Sequence, residues 1–154
     1  MFSVLLRGAA AGAAGTTALN AATYLDMSVR GRPASSVPED SVELIADRAG
    51  HPVPGDQDTR PNRLTGLGAL SGIAVGVGIG IAVALTRSAG LRLPAPIGAV
   101  LVGGAAMAAT DTSMARLGIS DPRDWSTSDW LADALPHLAY GLVTWTTLTA
   151  LNRD

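Results

Sequence analysis

Long uncharged stretches alternate with short charged ones along this chain. No charged residue occurs between Arg7 and Asp26, between Arg63 and Arg87, between Arg92 and Asp111, or between Asp133 and Arg153. Each run has about the length of a membrane-spanning helix, roughly 17–25 residues. The pattern predicts an all-α, polytopic membrane protein: one domain of four transmembrane helices, at about 5–27, 64–86, 95–116 and 135–152, with a polar loop over 28–63. The soluble alternative is a bundle of four buried helices, which needs polar outer faces at a period of 3.6. The second run, Leu64 to Thr86, has no such face. For the first run the rival is a signal peptide with Arg7 as its basic flank. Its interruption by glycine and threonine favours a retained helix.

The polar segments carry their own helix signals. Ser36-Val-Pro-Glu39 reads as a capping box opening a short acidic amphipathic helix over about 38–49, stopped by Gly50. Ser126-Thr-Ser-Asp129 reads as a second capping box. Trp125 and Trp130 flank it and are candidate interface anchors. The fourth span is expected to begin near Pro136.

Small residues recur at helical spacing. Gly68, Gly72, Gly76 and Gly80 form one i+4 row in the second run. Gly8 and Gly12 start a similar row in the first, and Gly104 precedes Ala108 in the third. In water such interior glycines each cost roughly 0.5–1 kcal/mol against alanine. In a bilayer they make grooves that admit another helix, so these seven glycines are the expected packing positions. An offset of 87 residues relates Ala21-Ala22-Thr23 to Ala108-Ala109-Thr110, Met27 to Met114 and Gly31 to Gly118. It suggests a 2+2 parallel repeat, with amphipathic segments in the loops on one side.

Composition narrows the function classes. Apolar residues make up 47% and charged residues 16%, against about 25% charged in a globular domain. The net charge of −2 gives no sign of nucleic-acid binding or of a polybasic membrane patch, and no nucleic-acid partner is expected. All the basic residues are arginine, and cysteine is absent, so disulfides and thiolate chemistry are excluded. Alternating spans place Arg7, Arg87, Arg92 and Arg153 on one side and the loops on the other. The arginine count favours cytoplasmic loops, while arginine density next to the spans favours cytoplasmic termini. The two criteria for the positive-inside rule oppose each other.

The loop-side ends of the four runs each carry one titratable residue: Asp26, Arg63, Asp111 and His137. Asn20 lies within two turns of them, as do Tyr24, Thr110 and Tyr140. Ionisable residues at membrane depth often mark ion or proton paths, and Asp111 and His137 are placed to share a proton. The structural alternative is that all four reach headgroups by snorkelling, or that Asp26 pairs with Arg63. Two histidines without cysteine do not make a zinc site. Gly76-x-Gly78-x-Gly80 lacks the spacing of a nucleotide loop. No catalytic residue, metal or cofactor is expected.

The text RGRPASSVPE after an alanine-rich run, and SDWLADALPHLAYG before the last, resembles small multi-pass membrane proteins of actinobacteria. The resemblance implies no activity. The expected role is a non-enzymatic structural, assembly or accessory subunit of the bacterial inner membrane. It would pack against itself or other membrane-protein subunits through glycine-rich faces. The alternative is a small oligomeric transporter or channel using Asn20, Asp111 and His137. A lipid-binding protein would show an apolar cleft near Trp125 and Trp130.

Overall fold

The computed structural model describes residues 1–152. Among them five α-helices and no strands occur: α1 (Phe2–Arg30), α2 (Val37–Arg48), α3 (Thr59–Ser88), α4 (Ala95–Leu117) and α5 (Thr127–Leu151). A single 3-10 turn, Pro122–Asp124, precedes α5. Both α1 and α4 stop on a glycine in the left-handed region, Gly31 at φ 65° and Gly118 at φ 75°, which only glycine adopts at little cost. The matched glycines of the 87-residue offset are therefore helix stops.

The two capping boxes fare differently. Ser126 and Asp129 form theirs completely. Ser36 makes no cap hydrogen bond, because its own backbone is already helical. Its hydroxyl donates instead to Asp40 Oδ2 at 2.8 Å. α3 starts five residues ahead of the expected boundary, next to a turn in which Asp56 Oδ1 accepts from the Thr59 N–H and hydroxyl. α5 begins at Thr127 and carries Pro136 inside it, so the proline lies within the helix it was expected to open. The capping box supplies the earlier start.

Two of these helices, α3 and α4, are long and apolar enough to cross a membrane. The four-span expectation is thus met at two helices. α1 falls short because Thr16, Thr17, Asn20 and Thr23 dilute it. α5 falls short because its first turns carry Asp129, Asp133 and His137 and its second half four threonines.

The long helices pack in the order α3–α1–α5–α4, each antiparallel to its neighbour. α3 and α4 barely touch, so the four form an open arc. The largest fully buried side chains, Tyr140, Thr144, Trp145 and Leu148, all come from α5. α2 lies against α3 and reaches α4, where the Ser41 hydroxyl sits 3.1 Å from Met114 Sδ. The suggested 2+2 repeat would relate α1 to α4 and α3 to α5. It would then require α3 and α4 to meet as closely as α1 and α5 do, and they do not. The repeat survives only as two antiparallel pairs, α1/α3 and α4/α5.

Candidate functional site

The arc brings Asp111 of α4 together with Asp133 and His137 of α5 at the loop-side end. Asp111 is half-buried and within electrostatic reach of both. His137 Nδ1 lies 2.9 Å from the Asp133 carbonyl oxygen and 3.4 Å from Asp133 Oδ1. The nearest carboxylate partner of His137 is therefore Asp133, one helical turn before it, rather than Asp111. The i,i+4 spacing on one helix was the available signal. Asp133 Oδ2 and Glu39 Oε2 are buried without a hydrogen-bond partner among the described residues. No group of three His, Asp or Glu side chains that would hold a metal ion occurs among those residues.

The other loop-side residues go elsewhere. Asp26 pairs with Arg30 at 2.7 Å and with Arg32 at 2.5 Å, because Gly31 turns the chain back over the end of α1. The Asp26–Arg63 pair, one of the two structural alternatives, does not form. Arg63 donates to the Pro54 carbonyl at 2.7 Å, and Asn20 lies half-buried on α1. Arg30 also donates to Ser128 Oγ at 2.5 Å, which ties the end of α1 to the start of α5. There the Ser126 hydroxyl and backbone, with Arg30 beyond, hold the Asp129 carboxyl below the usual carboxylate range. The Arg123 guanidinium and backbone N–H push Asp121 down to about 2. Trp125 and Trp130 stack edge to face, 5.2 Å between ring centres, and the Trp125 indole N–H donates to Ser120 Oγ at 2.9 Å.

The glycine rows divide by what they meet. A Cβ at Gly12 would lie 2.5 Å from the Gly76 carbonyl oxygen, and one at Gly80 2.5 Å from the Gly12 Cα. At Gly8 it would lie 2.7 Å from the Ile81 Cα. These three glycines, with Gly76 against Thr16, bring α1 and α3 into backbone contact. Gly68 faces Pro38 and Glu39 of α2. Gly72 and Gly104 meet nothing within 4 Å, so they do not pack within this chain. α1 has drawn away by the level of Gly72, and α2 arrives one turn further on. In α4 it is Gly103, a small residue at helical spacing beside Gly104, that with Gly141 joins α4 to α5 at backbone distance; Gly141 stood outside the expected rows, as did Gly15, which admits Thr144 and Tyr140 of α5.

No family model, no curated protein and no solved structure matches this chain.

Function must then be read from the molecule itself, and its opposite end adds a second feature. Between α3 and α4 lies a cleft of about 120 Å³, walled by Ile79, Val83, Leu101 and Val102 and floored by Trp145. Arg87 caps it, its guanidinium carbon 4.2 Å from the centre of the Trp145 ring, within the range of a cation–π contact. The cleft lies far from Trp125 and Trp130, at the end of the bundle that carries Arg7, Arg87 and Arg92. A tryptophan in the second half of the last apolar run, away from its charged end, was the sequence signal for it.

Proposed function

We propose that this chain is a non-enzymatic integral protein of the bacterial inner membrane, crossing it with α1, α3, α4 and α5, and serving as a structural or accessory subunit. One observation carries the reading. The apolar stretches of α3 and α4 are only 22% and 28% buried within the chain. The core helix of a soluble protein is mostly enclosed. Here Leu70, Ile73, Ile97 and Val100 face outward with much of their surface exposed, which is costly in water and favourable among lipid chains.

The same outer surfaces carry Gly72 and Gly104, whose flanks are open. A groove beside a backbone without side chains suits close approach by a further helix. That helix belongs to a second copy or to a larger membrane subunit, so the role is assembly rather than chemistry. The test is extraction from native membranes in gentle detergent followed by native mass spectrometry. The expected result is a stoichiometric complex, either with itself or with another membrane protein. A strictly monomeric, partner-free protein would overturn the reading.

A further inference from the structure

The gap between α3 and α4 is where a closed four-helix ring would have its fourth contact. Its walls explain why that contact is missing. On the α1–α5 side, Gly15 lets Thr144 and Tyr140 approach the backbone. On the α3–α4 side, Ile79, Val83, Leu101 and Val102 face the gap instead, and branched side chains hold the two helices apart. The floor is Trp145, which is 2% exposed. The opening points sideways, between the two helices apolar enough to cross a membrane, so it faces acyl chains rather than water.

Charge at its upper end is one-sided. Arg87 closes the last turn of α3, and Arg92 sits between Leu91 and Leu93 of the cleft wall. The two guanidiniums are close enough to repel each other. Among the described residues neither pairs with a carboxylate. Every described acidic residue lies in, or at the helix ends beside, the loops on the other side. An apolar slot in the bilayer beneath two cations that have no carboxylate partner among the described residues is complementary to one kind of molecule: a long chain under a negative headgroup. The size agrees, since apolar cavities of roughly 150 Å³ take up a benzene-sized guest. The cleft therefore holds a segment of one chain.

We propose that the α3–α4 cleft binds an acyl chain of an anionic phospholipid, whose headgroup phosphate lies on Arg87 and Arg92. The inference rests on α3 and α4 lying in the bilayer, and the experiment separates the two claims. In full-length protein carrying Trp125→Phe and Trp130→Phe, Trp145 is the sole tryptophan and is excited at wavelengths where tyrosine does not absorb. The protein is reconstituted in vesicles of phosphatidylcholine with a minor share of phosphatidylglycerol. One lipid or the other carries bromine on its acyl chains as a contact quencher.

Brominated phosphatidylglycerol is expected to quench Trp145 beyond its share of the lipid. The preference should fall about fivefold for each arginine removed. Arg92→Gln leaves the Arg87–Trp145 stack in place, so its effect is one of charge alone. Ala105→Phe, which fills the cleft, should abolish the quenching by both lipids. Quenching in proportion to lipid composition would overturn the proposal, as would a preference that survives Arg87→Gln with Arg92→Gln, or quenching that survives Ala105→Phe. Val100→Trp, placed on the outer face of α4 in a Trp145→Phe background, is the control for the bilayer. If both lipids quench it while Trp145 shows no preference, only the cleft proposal fails. If neither quenches it, the membrane reading fails with it.

Discussion

Tyr140 is 1% exposed, and its hydroxyl donates to the Gly76 carbonyl at 2.7 Å. This hydrogen bond crosses from α5 to α3. Hydrogen bonds between membrane helices contribute about 0.6 kcal/mol on average and up to about 1.7 kcal/mol. Tyr140→Phe keeps the ring and removes only the hydroxyl. It should cost a stability within that range, read by unfolding in a denaturing-detergent titration, with helix content unchanged. A variant as stable as the parent would show that the bond contributes nothing net. At this scale the sequence was partly legible. Asp129 with Ser126 was readable because a capping box is local in the chain. Asp133 with His137 was equally local and was passed over in favour of Asp111, whose position depends on how α4 meets α5. Asp26 illustrates the same lesson. Arg30 and Arg32 lie within six residues of it, and Gly31 between them folds the chain back. Local partners outcompete a distant arginine such as Arg63.

Among helices, the determining contacts are those where backbone meets backbone. Gly80 stands against Gly12 so closely that any side chain must push α1 away. Overpacking a core costs typically 1–3 kcal/mol, and a leucine against backbone has no soft neighbour to yield. Gly80→Leu should therefore reach the top of that range or beyond, seen as a lowered melting temperature in detergent. Gly72→Leu, in open space, should melt like the parent and change only association, seen in the native mass spectrum. Equal destabilisation by the two would contradict the division between inner and outer glycines. The period-four row from Gly68 to Gly80 was visible in the sequence, but its allocation was not. α2 covers Gly68, α1 covers Gly76 and Gly80, and Gly72 falls between the two. Spacing reports that a face is small; only the neighbours decide which part of it is used.

For the whole molecule, hydrophobic patterning made the four long helices and the long polar connection legible, but not that the segment after Ser126 is continuous with the last helix. The order α3–α1–α5–α4 was not, because it depends on which small residues oppose each other across distant segments. The number of crossings follows from α1 and α5, whose threonines and titratable residues weaken them as free-standing spans. These polar groups are enclosed rather than exposed: Thr16 donates within its own helix to the Gly12 carbonyl at 2.9 Å, and Thr144 is fully buried against Gly15 of α1. A helix of this kind can cross when its neighbours cover it. The absence of native cysteine makes the topology directly measurable with single cysteines and a membrane-impermeant maleimide. With four crossings, Ser3→Cys should be labelled from the same side as Ser88→Cys and from the side opposite to Ser120→Cys. If only α3 and α4 cross, Ser3→Cys will instead share the side of Ser120→Cys.

An arc also behaves mechanically as a ring does not. Its two free ends, α3 and α4, are the jaws of a clip, and the spring is the joint diametrically opposite, where Gly15 of α1 takes up Thr144 of α5. The width of the mouth is therefore governed on the far side of the molecule. Residues such as Ile79 and Leu101 give the mouth its chemistry, while the smallest residue in the joint sets how far it opens.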